Sequence, residues 1–155
     1  MVREFVNACH EYGMKVGLYL SPWDCNHPDY GKPEYITYFR NQLRELLTNY
    51  GELYEFWFDG ANGGRGYYST DSLHTRKITA DYYPWESLTE MVYELQPNCV
   101  VHGGSAQNIR WVGNEDGFAP DPNWYTVNKK DMQSGGATAV HSDVNGDVYA
   151  PVEVD

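Results

Sequence analysis

Residues 54–60 read Tyr54-Glu55-Phe56-Trp57-Phe58-Asp59-Gly60, an apolar run of strand length that ends in an aspartate and a glycine. Aromatic residues in such a run favour a pleated, packed strand. Burying an unpaired carboxylate costs several kcal/mol or forces it to take up a proton, so an aspartate at the end of a buried strand needs a reason. Two are open: Asp59 caps the glycine-rich turn over residues 60–64, or it does chemistry.

The segments on either side have the same character. Upstream, Val2, Phe5, Val6 and Cys9 keep helical spacing to about residue 12, and Gly13 suits the position just past a helix end. Lys15-Val16-Gly17-Leu18-Tyr19-Leu20 follows as a short strand. Pro33 suits the first turn of a helix, whose apolar face is Tyr35, Ile36, Phe39, Leu43, Leu46, Leu47 and Tyr50, with Gly51 closing it. Downstream, residues 60–83 form a long loop rich in Gly and Tyr. Pro84 opens another helix over Trp85, Leu88, Met91, Val92 and Leu95, and Gln96-Pro97-Asn98 ends it. Cys99-Val100-Val101 and Ile109-Arg110-Trp111-Val112 are further short strands; beyond Phe118 the chain is polar and shows no clear element.

Helices thus alternate with strands that start near residues 15, 54 and 99. The strands lack polar alternation, which predicts burial on both faces in a parallel sheet. Such alternation fits a (β/α)8 barrel or a doubly wound sheet. No GxGxxG or Walker motif follows any strand, which leaves a nucleotide-binding fold unsupported. A whole barrel takes about 250 residues, and this chain has 155.

Composition narrows the partners. The formal net charge is −11, with 22 acidic and 11 basic residues and no basic cluster, so nucleic acid is disfavoured. No run reaches the roughly 18–20 apolar residues of a membrane span, so no membrane insertion is expected. Cys9, Cys25 and Cys99 make no CxxC pair. Aromatic residues are 15% of the chain; an apolar ring with a polar tip suits a sugar, although such rings also fill cores.

In a barrel, chemistry sits at the C-terminal ends of the strands. Those ends deliver Tyr19, Ser21 and Asp24 from the first strand, Trp57 and Asp59 from the second and His102 from the third, and Glu115 follows the fourth. Asp59 and Glu115 form a carboxylate pair from different strands, the arrangement glycoside hydrolysis requires; alone, Glu115 also reads as a solvated loop acid. Trp57 lies two residues before Asp59, on the same side of the strand. Carboxylates occur singly at the strand ends without a histidine beside them, so no metal site and no cofactor is expected.

Four blocks of this sequence resemble, in order, segments of the α-L-fucosidases of glycoside hydrolase family 29. They are Tyr12-Gly13-Met14-Lys15-Val16-Gly17-Leu18-Tyr19-Leu20-Ser21-Pro22-Trp23-Asp24, Gln42-Leu43-Arg44-Glu45-Leu46-Leu47-Thr48-Asn49-Tyr50-Gly51, Trp57-Phe58-Asp59-Gly60 and Arg110-Trp111-Val112-Gly113-Asn114-Glu115. The last is similar to the acid/base segment of the branch acting on α-1,3/1,4-linked fucose. The resemblance implies a retaining hydrolase of terminal α-L-fucose on oligosaccharides or glycoconjugates. Asp59 would be the nucleophile and Glu115 the acid/base, their carboxyl groups about 5–5.5 Å apart; Asp116 and Glu86 are second choices for the acid. Trp111, Phe118 and Trp124 would supply apolar surroundings that raise the acid's pKa. Tyr19, Trp23, Asp24, Trp57 and His102 would bind the sugar.

The resemblance also implies that residues 1–155 are the central part of one (β/α)8 catalytic barrel, an α/β fold without its N-terminal and C-terminal strands. Val152-Glu153-Val154-Asp155 is similar to the start of a later strand. The family's tandem-histidine segment has no counterpart, since His10, His27, His74, His102 and His141 are each isolated. Little activity is therefore expected of the chain alone. Two alternatives stay open: a carbohydrate-binding module without catalysis, and a barrel glycosidase of other sugar specificity.

Overall fold

A computed structural model describes residues 1–24, 26–59, 78–112, 121–133 and 142–154. Its element order is α1 (Val2–Glu11), β1 (Gly17–Tyr19), α2 (Pro33–Asn49), β2 (Glu55–Trp57), α3 (Trp85–Leu95), β3 (Val100–His102), β4 (Arg110–Val112), β5 (Thr126–Val127), a 3-10 turn (Lys129–Gln133), β6 (Val148–Tyr149) and β7 (Val152–Val154).

The helices end where their sequences stop supporting them. After α1, Gly13 takes φ +67°; its N–H donates to His10 O at 3.1 Å, and Met14 N–H reaches Cys9 O at 2.8 Å. These two bonds satisfy carbonyls the helix leaves open, the Schellman arrangement. Pro33 starts α2, where its missing N–H costs no helical bond. Tyr35, Phe39, Leu43 and Leu47 recur every fourth residue and are all buried. Leu88, Met91 and Val92, at i, i+3 and i+4, form the buried face of α3.

β1, β2 and β3 form one parallel sheet in the order β1-β2-β3. Gly17 pairs with Glu55, and Tyr19 with Trp57; Glu55 pairs with Val100, and Trp57 with His102. Here the structure corrects the expectation of strands buried on both faces. Val16, Leu20, Phe56, Phe58 and Val101 are buried in one core with the helical residues Phe39, Leu43, Leu88 and Val92. The alternate positions Gly17, Tyr19, Glu55, Trp57 and Asp59 are exposed or half-buried. β1 and β2 do alternate, with one face against helices and one face on a cleft, whereas in β3 both Val101 and His102 are buried. The pattern is easily missed because Tyr and Trp on the cleft face read as apolar.

β4 pairs in parallel with β7, setting Trp111 opposite Glu153. β5 and β6 form a small antiparallel ladder over Val127, Met132 and Ala150, in a region where the sequence alone marks no element.

Candidate active site

Register brings the site together. Tyr19, Trp57 and His102 hold one level of three adjacent parallel strands. Their rings form a ladder: Tyr19 stacks toward Trp57 with centroids 6.2 Å apart, and Trp57 stacks on His102 at 3.9 Å with planes 20° apart. Asp59 lies beyond the end of β2 on the same face. Tyr19 Oη donates to Asp59 Oδ2 at 2.7 Å, a short hydrogen bond that fixes the orientation of the carboxyl group. Burial, reinforced by this bond and by the charge of Asp59, raises the Tyr19 phenol above its ordinary pKa, so it remains a donor at neutral pH.

His102 is buried, and its Nδ1 has no hydrogen-bond partner among the described residues. Burial lowers its pKa, against the opposing pull of Glu153 and Asp59. The ring is thus a neutral surface behind Trp57, while the His102 carbonyl accepts from Phe58 N–H at 2.9 Å.

Two participants were missed by sequence reasoning. Trp57 Nε1 donates to Glu153 Oε2 at 2.7 Å, across 96 positions of chain. Glu55 stands beside it, its pKa pushed up to about 7 first by burial and then by the charge of, and hydrogen bond with, Glu153. Gly17, Leu18, Tyr19, Glu55, Trp57, Trp111 and Glu153 line a cleft of about 400 Å³. Alternation could have found Glu55, since it shares the parity of Trp57 and Asp59. Nothing local signals the partnership with Glu153.

The other expected residues sit differently. Asp24 holds its own loop: Oδ1 accepts Asn26 N–H at 2.8 Å and His27 N–H at 2.9 Å, and Oδ2 accepts Tyr35 Oη at 3.0 Å. Trp23 is 39% exposed on the same loop. That loop is braced from below, since the Pro22 carbonyl accepts both Tyr30 Oη and Tyr83 Oη. Arg110 is fully buried, its Nη2 donating to Asn123 Oδ1 at 2.8 Å and to the Trp124 carbonyl. Glu86 is exposed in the first turn of α3. Glu115, Asp116 and Phe118 lie outside the described residues.

The site thus has a strand-end carboxyl group held by a phenol, beside a stacked indole on a cleft. The family model described as Alpha-L-fucosidase matches residues 1–132. The chain belongs to the alpha-L-fucosidase family. It is similar to Alpha-L-fucosidase 1 of Arabidopsis thaliana, with 35% identity over 159 aligned positions that cover 100% of this chain and 29% of that protein. Among solved structures it is similar to a glycoside hydrolase 29 family member from an unknown rumen bacterium, with 47% identity and a TM-score of 0.81, covering 99% of this chain and 28% of that one. The chain therefore spans less than a third of the length of these relatives.

Proposed function

We propose that this chain is the central part of a (β/α)8 barrel in a retaining α-L-fucosidase, with Asp59 as nucleophile and Glu115 as acid/base. The observation that carries the reading is the Tyr19–Asp59 hydrogen bond beside the Trp57 ring. It orients a carboxyl group at the end of a parallel strand, where barrel enzymes do their chemistry. The TIM-barrel catalytic domains of glycoside hydrolase 29 neighbours support the barrel reading.

In this mechanism Asp59 attacks C1 of a terminal α-L-fucosyl group while Glu115 protonates the departing oxygen. A covalent glycosyl-aspartate forms, and water activated by Glu115 then releases fucose with retained configuration. Trp57 lies against the apolar face of the sugar and Tyr19 holds Asp59 in line. The α-1,3/1,4 linkage preference rests on the Arg110–Glu115 motif.

The experiment is hydrolysis of an aryl α-L-fucoside, followed by trapping with a 2-deoxy-2-fluoro-L-fucosyl fluoride. The 155-residue chain alone gives near-background turnover. With the flanking barrel strands supplied, the Asp59 peptide gains the mass of the fluorofucosyl group, and Asp59→Asn does not. Label on a different carboxylate would refute the assignment.

A further inference from the structure

The polar edge of Trp57 is committed to Glu153 on β7. Glu55 lies on the same face of β2 as Trp57, and its Oε1 is buried with no hydrogen-bond partner among the described residues. Gly17, its cross-strand neighbour, leaves the room: a Cβ there would stand 3.3 Å from Glu55 Cβ and 3.7 Å from Glu55 Oε2. Two carboxyl groups and one indole N–H thus meet beside the cleft. Among the described residues they offer four acceptor oxygens to one donor, an imbalance that a proton on the pair corrects.

We propose that Glu55 and Glu153 are positioning residues of the sugar site, a carboxyl pair bridging β2 and β7 that fixes the Trp57 indole between Tyr19 and His102. The consequence for sugar binding rests on the function proposed above; the geometry does not. With one proton on the pair, Glu55 donates to Glu153, and Glu153 Oε2 accepts the indole N–H. When that proton leaves, two adjacent carboxylates repel and the indole loses its fixed partner.

The surrounding groups support this. Tyr19 on β1, Asp59 beyond β2 and His102 on β3 supply no cation at neutral pH, since burial keeps His102 neutral, and Cys99, just before β3, stays a neutral thiol because burial pushes its pKa up to about 12. Arg110 on β4 directs its Nη2 at Asn123 and Trp124. Burial and the charge of Glu153 push the Glu55 carboxyl up to about 7, with the Trp57 hydrogen bond opposing.

The test follows the Trp57 indole ¹H–¹⁵N resonance, assigned with Trp57→Phe, between about pH 5 and about pH 9. It should shift with a midpoint near 7 in the unaltered chain. Glu55→Gln and Glu153→Gln should each abolish that titration, and Glu55→Gln should keep the indole in its hydrogen-bonded position. A flat indole resonance, or a titration that survives both substitutions, overturns the proposal. Should either variant fail to fold, the ¹³C-labelled carboxyl of Glu55 in the unaltered chain must share the indole's midpoint, and a different midpoint overturns it too. L-fucose titrations separate the two readings. If the proposed function fails, the indole still titrates but fucose does not bind. If this inference fails, fucose binds with a Kd that does not change between about pH 6 and about pH 8, where a loss on the order of threefold is expected.

Discussion

Gln96 ties three elements together, and replacing it with leucine tests the packing that carries the site. It is buried at the C-terminal cap of α3. Its Oε1 accepts Leu53 N–H at 2.9 Å, just before β2, and its Nε2 donates to Leu47 O at 2.7 Å in the last turn of α2 and to Gly51 O at 3.0 Å. Gln96→Leu keeps the volume and removes every one of these bonds. Leu53 and Leu47 are each 1% exposed, so their backbone groups lose a partner out of reach of water. Gly51 is exposed, so water can replace the lost bond at its carbonyl. Two fully stranded groups at about 1–2 kcal/mol each give a loss of about 3 kcal/mol. With a urea slope on the order of 2 kcal/mol/M, the midpoint should fall by about 1.5 M. A fall of less than about 0.3 M would refute the reasoning. Gln96→Glu adds a pH arm. The introduced carboxyl still accepts from Leu53 but donates only when protonated, so folding raises its pKa. Stability is then best retained at low pH and is lost as pH rises through the folded-state pKa.

Tyr19→Phe removes one short hydrogen bond to Asp59 from a half-exposed side chain. Aryl-fucoside kcat/KM in the barrel-complete enzyme should fall about tenfold, near 1.5 kcal/mol, with the denaturation midpoint unchanged. Gly103→Ala forces a side chain onto φ +78° and sets a Cβ 2.0 Å from the Phe58 carbonyl oxygen; thermal unfolding should show a loss above about 2 kcal/mol and a Tm drop of at least about 5 °C. Glu55 has a raised folded-state pKa, so its contribution is whole below the ordinary 4.5 and is lost as pH rises toward about 7. Urea midpoints across that window should decline in the unaltered chain and stay level in Glu55→Gln.

Local signals in the sequence told the truth about local structure. Gly13 and Pro33 mark helix ends because one accepts positive φ and the other needs no N–H, and both do their work within one turn. The parity of Trp57 and Asp59 placed them on one face, as found. The two-faced character of the strands was hidden because hydropathy classes a cleft-facing Tyr19 or Trp57 with the core. Asp24 fits a sugar-binding pattern equally well whether its oxygens face a ligand or Tyr35 and two backbone N–H groups. Trp57 and Glu153 meet across 96 residues, a separation at which periodicity carries no information. Glu115 and residues 60–77 lie outside the described residues.

The two tyrosine hydroxyls on the Pro22 carbonyl have a practical meaning for anyone reshaping specificity. A carbonyl oxygen has two lone pairs, and here both are occupied from inside the core. Shifting the backbone at Pro22 by even an ångström strands two phenols at once. The segment from Ser21 to Asp24 therefore behaves as a wall cast with the core, whatever its irregular outline suggests. Libraries that randomise Pro22 or Asp24 should return mostly unfolded clones. Variation at Trp23, which is 39% exposed, should return folded proteins with altered ligand preference.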